Sequence, residues 1–472
     1  MTWETVIGLE VHVQLATRSK LFCDCSTVFG DDPNANVCPV CLGLPGALPV
    51  TNREAVRLGV RAALALGFAV HRTSLFARKN YFYPDLPKGY QISQFDQPLA
   101  SSGALEIESA DRGDVSIGLT RLHLEEDAGK SLHDRFPDQT ALDFNRSGIP
   151  LAEIVSDPDL RSPAEARAYL TTLKQILQYL DVSDCSMEEG RLRVDANLSV
   201  RSAGQEALGV KQEIKNMNSF TTVERSLDYL RLSQIQTLED GATVEPNTFS
   251  AATGTLRVMR TKEASHDYRY FPEPDLPPLE IGRDWLDEER NSLPELPRAL
   301  CARLGEQYGV PSYDAGVLAS TRALADYFEQ LAGAGVDGRT AAHWVMGSVL
   351  QDANENKGVL RVAPTRLAAL IHMVGNRQVS LQTAKRLFPE LAVTDEAPET
   401  LAARLEVIQI DDEDQLSEWV RTVIETHPDE LSRFREGESK LMDFFMGRVM
   451  KTSRGKADPK RVQQMLLEEL GR

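Results

Sequence analysis

Two kinds of hydrophobic pattern divide the chain. As far as about Pro294, short runs such as TVIGLEVHVQL, DVSIGLTRLHL, RLRVDANLSVRS and GVKQEIKNM alternate apolar and polar residues, which is typical of strands with one buried face. The run SPAEARAYLTTLKQILQYLDV has helical spacing, with Ser162 as its predicted N-cap. Because strands follow strands without regular crossover helices, this part predicts an α+β domain built on antiparallel sheet.

The remainder of the chain is predicted to be almost wholly helical. The pattern changes after NSLPELPRALCARL, and we place one boundary at Pro294–Pro297. A strongly acidic stretch near residue 400 marks a second boundary. The sequence therefore predicts an antiparallel-sheet domain over 1–294, an all-helical domain over 295–400 and a small helical tail over 401–472.

Composition limits the kind of protein this is. A chain of 472 residues exceeds what one hydrophobic core usually supports, and 42% apolar with 26% charged residues is an ordinary globular composition. No apolar run approaches the roughly 18 residues of a membrane span, and the N-terminus does not resemble a signal peptide. We therefore expect a cytoplasmic protein with no membrane segment. The net charge of −18 argues against nucleic-acid binding through the whole surface, so a nucleic acid requires a local basic patch.

Four of the six cysteines form two close pairs. Cys23 and Cys25 are followed, after a loop rich in Gly, Asp, Pro and Asn, by Cys38 and Cys41. Four thiolates in two knuckles predict a tetrahedral structural Zn²⁺ site, with unligated buried cysteines as the alternative. All four coordination positions are filled by sulfur, so a metal used in chemistry must bind elsewhere.

Acidic residues and histidines share strand faces in the first part of the chain. Glu10 and His12 are two residues apart in an alternating run, and so are His123 and Glu125, which puts each pair on one face of its strand. The runs VDANLSV and KQEIKN add Asp195, Asn197, Glu213 and Lys215. Carboxylates on an inward face are costly unless a cation or substrate satisfies them, so we expect a Mg²⁺ or Mn²⁺ site for a nucleotide phosphate. For any single acid, a solvated strand face is the alternative.

Other polar segments have no clear period. Residues 77–100, 143–160 and 260–279 combine aromatic residues, prolines and charged or amide groups, and we predict them to be long loops that carry binding residues. Aromatic packing beneath surface loops is the other interpretation. Gly129, Lys130 and Ser131 do not form a phosphate-binding P-loop, because Leu124 stands where that motif needs glycine.

Seven of these segments together resemble a known family. The runs GLEVHVQL, NVCPVCLGLPGALPVTN, KNYFYPDLPKGYQISQ, HLEEDAGK, DFNRSGIPLAEIVSDPD, EIKNMNSF and HDYRYFPEPDLPPL are similar to the motif series of the B subunits (GatB family) of aspartyl/glutamyl-tRNA amidotransferases. The resemblance extends to the C-terminal MGRVMKTSRGKADPKRV and so covers nearly the whole chain. It implies a large cradle domain followed by a helical domain and a small helical tail.

The resemblance also implies a reaction. Such a protein uses ATP to convert the side-chain carboxylate of Glu or Asp, misacylated onto tRNA-Gln or tRNA-Asn, to an acyl phosphate, and ammonia then displaces the phosphate. Carboxylates are poor electrophiles, so this activation depends on positioning and on cations that neutralise phosphoryl oxygens. ATP and Mg²⁺, or Mn²⁺, are thus the expected cofactors beside zinc.

Particular residues take roles by this resemblance. The expected Mg²⁺ ligands are Glu10, His12, Glu125 and Glu213, with Glu126 and Asp195 as second choices. Since Mg²⁺ prefers oxygen, His12 has the alternative roles of orienting substrate or favouring Mn²⁺. The candidates to hold phosphate or the tRNA 3′ end are Lys79, Lys88, Lys215 and Arg146, and the last two with Asp195 are the expected ATP contacts. Asn216 and Asn218 are candidates to position the carboxylate.

The expected partners are inferred from the absence of a glutaminase signature in the chain and from the basic residues of its C-terminal tail. Neither Cys185 nor Cys301 lies in a glutaminase signature, so the ammonia must come from elsewhere. The resemblance supplies a separate amidase, which acts as the glutaminase, and a small third protein, so that the whole enzyme is a heterotrimer. From Leu431 to Arg472, ten Lys and Arg oppose six Asp and Glu, a local excess that suits an RNA backbone. The predicted tRNA contacts are Arg448, Lys451, Arg454, Lys456, Lys460 and Arg461.

Two other functions remain open from sequence. A ligase that amidates a free amino acid would use the same carboxylates, ATP and metal but would not need the basic tail. A non-catalytic RNA-binding scaffold would keep the tail and the zinc, but would not need Glu10, His12, Glu125 and Glu213 to converge. For the tail itself, basic residues on an ordinary helix surface are the alternative to an RNA contact. The preference between Glu-tRNA-Gln and Asp-tRNA-Asn is not encoded in any motif of this chain.

Overall fold

The computed structural model describes residues 2–252, 256–261, 267–408, 413–453 and 457–470. They form two compact units, Met1–Leu296 and Pro297–Arg472. The first combines sheet and helix and the second is helical, which confirms the predicted α+β class. The division of the helical part near residue 400 stays a prediction.

Strands dominate the first unit. In chain order they are β1 (Trp3–Gln14), β2 (Ala69–Val70), β3 (Thr73–Ser74), β4 (Ala77–Asn80), β5 (Tyr90–Ser93), β6 (Ala100–Ser109), β7 (Gly113–Glu126), β8 (Lys130–Phe136), β9 (Gln139–Asp143), β10 (Pro150–Ser156), β11 (Leu192–Ser202), β12 (Gln212–Lys215), β13 (Asn247–Ser250), β14 (Arg257–Thr261), β15 (Phe271–Pro272) and β16 (Leu279–Glu280). Its helices are α1 (Arg53–Ala65), α2 (Pro163–Tyr179), α3 (Phe220–Glu239) and α4 (Arg283–Asn291).

Helices make up the second unit. They are α5 (Pro297–Tyr308), α6 (Ser312–Leu318), α7 (Arg322–Gly333), α8 (Gly338–Trp344), α9 (Leu350–Glu355), α10 (Pro364–Gly375), α11 (Leu381–Leu391), α12 (Pro398–Arg404), α13 (Glu413–Glu425), α14 (Pro428–Arg435), α15 (Leu441–Thr452) and α16 (Pro459–Leu470). A π-helical turn, Val345–Val349, joins α8 to α9. No described helix is long and apolar enough to cross a membrane.

One large sheet organises the first unit. Within the described residues it has nine strands in the order β14-β13-β12-β11-β1-β10-β7-β6-β2. Its neighbours are antiparallel except for β12 and β13, which run parallel. The N-terminal strand β1 lies near the middle, between β10 and β11, so residues distant in sequence become neighbours there.

The two faces of β1 have opposite character. Leu9, Val11 and Val13 are almost fully buried and join apolar residues of α1, α2 and α3 in one core. Glu10 and His12 alternate with them and point to the other face, which stays partly accessible. The hydrophobic effect therefore fixes the register of β1, because a shift by one residue would bury both polar side chains in that core.

The helix predicted after Ser162 is present as α2. The Ser162 side chain accepts a hydrogen bond from the Glu165 amide at 3.2 Å, and Pro163 occupies the first turn. This N-cap satisfies an amide that has no partner within the helix, and proline is tolerated there because its missing N–H is not needed.

The loop prediction was wrong for parts of three segments. Residues 77–80, 90–93, 150–156 and 271–272 are strands, and β10 is central in the large sheet. Six of the seven residues of β10 are buried, so both faces of the strand are covered and its sequence shows no alternation. Residues 262–266 of the third predicted loop lie outside the described residues.

The C-terminal helices have a hydrophobic cluster of their own. Its fully buried members include Leu416 of α13, Phe445 and Val449 of α15, and Val462 and Leu466 of α16. Asp458 caps α16, since its Oδ1 accepts hydrogen bonds from the Lys460 and Arg461 amides at 2.8 and 2.9 Å. The helices of the predicted tail thus pack around shared apolar residues.

Candidate active site and cysteine cluster

Three neighbouring strands place acids and imidazoles side by side. His12 on β1 lies directly across from Glu153 on β10, and Glu153 lies directly across from His123 on β7. Residues in direct register project from the same face of a sheet, so the three side chains form a row. Glu10 and Glu125, each two residues along its strand, project from that same face.

Short contacts link five side chains on this face, which we call the acid–imidazole cluster: Glu10, His12, His123, Glu125 and Glu153. The Nε2 atom of His12 lies 3.1 Å from Glu153 Oε2, 3.5 Å from Glu125 Oε1 and 3.6 Å from Glu10 Oε1. The Nε2 atom of His123 lies 3.5 Å from one oxygen of Glu125 and one of Glu153. Glu125, Glu153 and His123 are each no more than 3% exposed.

Mutual attraction governs the charges of the cluster. Burial alone would lower the pKa of His12, but the hydrogen bond to Glu153 and the negative charges of Glu125 and Glu153 raise it to about 9. Burial would raise the pKa of Glu125, but the hydrogen bond from His123 and the charge of His12 outweigh that effect and lower the pKa to about 2. The pKa of Glu10 is raised, first by burial and then by the charge of Glu153.

Donor atoms in the cluster fit a divalent cation. Two overlapping groups, Glu10 with His12 and Glu153, and His123 with Glu125 and Glu153, can each offer ligand atoms within 4.8 Å of one another. Nδ1 of buried His123 has no hydrogen-bond partner among the described residues, whereas its Nε2 faces Glu125 and Glu153. The set is rich in oxygen, which suits Mg²⁺ or Mn²⁺.

Lys79 on β4 faces the cluster under an aromatic cover. Its Nζ lies 5.0 Å from the ring centre of Tyr268, and Tyr270 stacks on Phe95 with ring centres 4.0 Å apart. Burial would lower the pKa of Lys79, but the charge of Glu125 raises it above the usual range. The charge of Glu125 therefore favours the ammonium form of Lys79.

A second charged group flanks the cluster on β11 and β12. Asp195 lies in register with Glu10, and Lys215 Nζ contacts Asp195 Oδ2 at 2.5 Å and Glu213 Oε1 at 3.1 Å. Glu213 is thus engaged by Lys215, whereas the other three predicted Mg²⁺ ligands meet at His12. The exposed Asn216 has a φ of +61° and donates to Ser250 Oγ at 3.2 Å.

Glu126 and Lys88 lie apart from the cluster. Glu126 follows Glu125 on β7, so strand alternation turns it to the opposite face. Its carboxylate pairs with the Lys88 ammonium and accepts from the Ile92 amide at 2.9 Å. Both side chains are at least nine-tenths buried, and their charges are satisfied by each other.

Arg146 is bound to the turn after β7. Its guanidinium donates to the carbonyls of Ala128 at 3.0 Å and Gly129 at 2.6 Å. Asp127, beside them, accepts from Arg193 Nη2 at 2.9 Å and from the Gln14 side-chain amide at 3.0 Å. These contacts give Arg146 a clear part in holding the backbone of this turn.

The four clustered cysteines come together as their spacing predicts. The Sγ atoms of Cys23, Cys25, Cys38 and Cys41 lie within 4.8 Å of one another. The Cys38 amide donates to Cys41 Sγ at 3.2 Å. A hydrogen bond from the Cys23 thiol lowers the pKa of Cys41 to about 4, against the effect of burial, which favours a thiolate at neutral pH. Four converging sulfurs fit a tetrahedral Zn²⁺.

Comparison with known proteins decides the family. Residues 5–287 match the model of the GatB/GatE catalytic domain, and residues 326–470 match that of the GatB domain. The chain belongs to the GatB family. The resemblance inferred from the sequence motifs is thereby confirmed.

Curated relatives match the GatB-family chain from end to end. Proteins named as the B subunits of aspartyl/glutamyl-tRNA(Asn/Gln) amidotransferases are 49% identical in Moorella thermoacetica, 48% in Halorhodospira halophila and 47% in Chlorobium phaeobacteroides. Each alignment covers 100% of this chain, and 100%, 99% and 100% of the respective relative. The subunit designation of these relatives indicates an assembly of several chains.

Both regions of the chain that match GatB-family models contain residues predicted to form functional sites. In the C-terminal match, Arg448 and Lys451 on α15 and Lys460 on α16 are exposed, and Arg461 is half-buried. The Arg448 guanidinium lies 5.0 Å from the ring centre of Phe444. Arg454 and Lys456 lie outside the described residues.

Sequence reasoning missed Glu153 in the N-terminal GatB match. A lone acid in the apolar run IPLAEIVS was the available signal, because a glutamate in a doubly buried strand needs a partner. His123 was noticed on the correct face but not assigned a role. Asp127 and Arg193 were also not assigned, although Arg193 lies in register with His12.

Proposed function

We propose that this chain is the component of a tRNA-dependent amidotransferase that activates a side-chain carboxylate with ATP. The substrate is Glu-tRNA(Gln), Asp-tRNA(Asn) or both, and ammonia converts the acyl phosphate to the amide. Membership of the GatB family and relatives named as amidotransferase B subunits, aligned over their full length, support this function. The enzyme is then a carbon–nitrogen ligase with glutamine as amido donor.

The acid–imidazole cluster is the observation that carries the proposal. Three carboxylates converge on two imidazoles in a mostly buried site, and this oxygen-rich set of ligand atoms suits a divalent cation. We assign the catalytic Mg²⁺ or Mn²⁺ to Glu10, His12, Glu125 and Glu153. When bound, the cation neutralises charge on the transferring phosphoryl group.

The chain's own cations complete the site. Lys79 is half-buried, and the charge of Glu125 favours its charged form, so it is the preferred candidate to contact phosphate. Lys215, held by Asp195 and Glu213, can reach a nucleotide when one of these acids takes another partner. Asn216 is exposed beside Lys215 and can position the substrate carboxylate.

Three residues to which the resemblance gives catalytic or ATP-binding roles are better explained as residues that stabilise the fold. For Lys88, Glu126 and Arg146, the observed partners favour structural roles over direct catalysis. The first two neutralise each other away from the cluster, and the third is occupied by backbone carbonyls. Substitution of any of them should therefore act on stability before it acts on the reaction.

A structural zinc ion is proposed for the cysteine cluster. Its four sulfurs would close the coordination sphere, so zinc would stabilise the fold and not bind substrate. The cysteine loop is linked to residues 142–148, since the Asn34 side chain donates to Leu142 O at 3.0 Å and the Asn36 backbone amide donates to Asn145 Oδ1 at 2.8 Å. A metal that orders this loop would therefore also order the segment before β10.

Partners follow from the reaction. The ammonia would come from a glutaminase, held with this chain by a small third protein, and the exposed basic residues of α15 and α16 would contact the tRNA backbone. A role in translation also implies a cytoplasmic location.

The test uses the chain assembled with its two partner proteins. ADP release should require ATP, a divalent cation and a misacylated tRNA, with either glutamine or added ammonium salt as nitrogen source. Glu-tRNA(Gln) and Asp-tRNA(Asn) are compared, and free glutamate and uncharged tRNA serve as controls. Equal ADP release with free glutamate would point to a free-amino-acid ligase, and an assembly that binds tRNA without any ADP release would point to a scaffold.

A further inference from the structure

Lys20 is a fully buried lysine beside the cysteine cluster. It has no exposed surface, which is rare for a side chain whose charge is expensive to remove from water. Such a residue is tolerated only where partners satisfy its ammonium. The identity of those partners therefore indicates what the charge does.

The ammonium of Lys20 has three partners from two loops. Its Nζ donates to Asn36 O at 2.7 Å, to Phe144 O at 3.3 Å and to Cys41 Sγ at 3.6 Å. A lysine has three N–H donors, so each is used. Two of the partners belong to the cysteine loop, and the third belongs to the loop that leads into β10.

Charge balance gives the sulfur contact its importance. Four thiolates around one Zn²⁺ carry a net charge of two negative units, and the Cys38 amide is another donor to Cys41 Sγ. A neutral donor stabilises a thiolate less than a cation does, because charge-assisted hydrogen bonds are roughly twice as strong. A buried ammonium at this sulfur offsets half of the excess charge.

Hydrogen bonds of neighbouring residues strengthen the link that Lys20 makes between the cysteine loop and the segment before β10. The Leu21 amide donates to Gly148 O at 2.8 Å, and the Ser147 hydroxyl donates to Cys41 O at 3.3 Å. Gly148 lies two residues before β10 in the chain. Contacts around Lys20 thus join the metal loop to the entry of the strand that supplies Glu153.

We propose that Lys20 is a positioning residue for the zinc site. Its ammonium donates to the Cys41 thiolate, offsets part of the negative charge of the four thiolates and anchors the cysteine loop to the loop before β10. This inference rests on the proposed zinc site. It extends that proposal, because it assigns the retention of the metal to a residue that is not a ligand.

Zinc release from the full-length chain tests the proposal. Lys20→Met removes the charge and keeps most of the apolar stem, and Lys174→Met, at a half-buried lysine of α2, is the matched control. After loading with one zinc, transfer to an excess of a coloured chelator should be roughly 10- to 100-fold faster in Lys20→Met and unchanged in Lys174→Met. Lys20→Arg keeps the charge and should recover part of the retention.

Cobalt spectroscopy separates a bond to sulfur from general loss of stability. In Co²⁺-loaded protein, removing a donor from a thiolate raises the energy of its lone pairs, so the sulfur-to-cobalt charge-transfer band should move to longer wavelength in Lys20→Met. The visible ligand-field bands, which report tetrahedral geometry, should persist. Should Lys20→Met not fold, Lys20→Gln carries both measurements, because it removes the charge but keeps a polar donor.

The outcomes distinguish the two proposals. A wild-type chain that binds no stoichiometric zinc overturns the zinc site itself. A wild-type chain that holds one zinc, with unchanged release and an unshifted band in the Lys20 variants, overturns the role of Lys20 and leaves the zinc site intact.

Discussion

His12 Nε2 lies 3.1 Å from Glu153 Oε2, across the pairing of the N-terminal strand with β10. Glu153 also faces His123 on its other side, so one carboxylate lies between two imidazoles. Of these three residues, the motif GLEVHV contains only His12. Glu153 and His123 come beside it because β10 pairs with β1 and β7 pairs with β10.

Glu153→Gln should therefore abolish most phosphoryl transfer while the protein still folds. The amide keeps the shape of the side chain but removes a charge from both groups of candidate metal ligands, and loss of one electrostatic stabiliser typically costs about two orders of magnitude in rate. ADP release by the assembled enzyme and Mn²⁺ binding are the measurements. Glu106→Gln, at an exposed position of β6, is the control and should leave both unchanged.

Glu125 and Glu126 should respond differently to the same substitution. Glu125→Gln should lower metal-dependent ADP release by about a hundredfold with little change in melting temperature, because Glu125 lies in the acid–imidazole cluster. Glu126→Gln should instead lower the free energy of unfolding by about 3 kcal/mol, because it leaves the buried Lys88 ammonium without its counter-charge.

Ammonia-driven amidation and thermal unfolding of both variants check this pair. If Glu125→Gln releases ADP normally and yet forms no amide, Glu125 serves ammonia attack and the metal assignment is wrong. If Glu126→Gln is as stable as the wild type, the buried ion pair does not hold this part of the fold.

Glu165 predicts a dependence of stability on pH. Burial would raise its pKa, but the Arg112 guanidinium at 2.5 and 2.7 Å, the Arg161 amide and the Ser109 hydroxyl lower it below the usual range. A depressed folded-state pKa stabilises the protein above the unfolded-state pKa of about 4.3, and this contribution is lost as pH falls through the folded-state value.

Glu165→Gln should accordingly cost roughly 1–3 kcal/mol of unfolding free energy at pH 7, and progressively less below about pH 4. Denaturant titrations at several pH values measure the difference from the wild type, with Glu106→Gln as the exposed control. A difference that stays constant from neutral to strongly acidic pH would show that the ionised carboxylate is not the source of the stabilisation.

Cys38→Ser should reduce zinc content and lower the stability of the first unit. Replacing one thiolate by a hydroxyl removes a preferred ligand, and a structural zinc contributes directly to folding. Cys301→Ser, on α5 and outside the cluster, should retain the zinc. Loss of phosphoryl transfer with unchanged zinc content and melting would contradict a structural role.

The basic tail is best tested by point substitution. Removing the residues after Glu436 would delete Phe445, Val449, Val462 and Leu466 from the hydrophobic cluster of the C-terminal helices, so lost tRNA binding would not be specific. Changing Arg448, Lys451 and Lys460 together to Gln leaves that cluster intact, since all three are exposed.

This triple variant should bind tRNA more weakly, with a shallower dependence of log affinity on log salt concentration, because fewer phosphates are neutralised. A control triple at Arg339, Lys385 and Arg386, exposed residues of α8 and α11, matches the change in net charge. An equal loss in both triples would assign the effect to net charge and exclude a specific contact by the tail.

Much of the fold was predictable because local pattern determines it. Alternation predicted β1, β7 and β11, and the Ser162 N-cap predicted the start of α2. Strand β10 was not found, because a strand buried on both faces lacks the alternation on which that prediction depends.

The site was predictable only in part. Residues on one strand could be assigned to one face, so the pairs Glu10 with His12 and His123 with Glu125 were expected. Alternation along β7 was enough to place Glu126 on the face opposite Glu125, but which strands become neighbours is decided by tertiary packing, so the sequence did not show that Glu126 pairs with Lys88. For the same reason it did not reveal that Glu153 lies between the two imidazoles.

The central position of β1 has a consequence for biosynthesis. This strand is synthesised long before its two partners, which begin only at Pro150 and Leu192. Until they are made, a long strand with an apolar face and two unpaired edges has no native neighbour, and contacts so distant in sequence form slowly. Nascent chains of this protein should therefore depend on chaperones until β11 has been synthesised, and the acid–imidazole cluster should not form before β10 has been made.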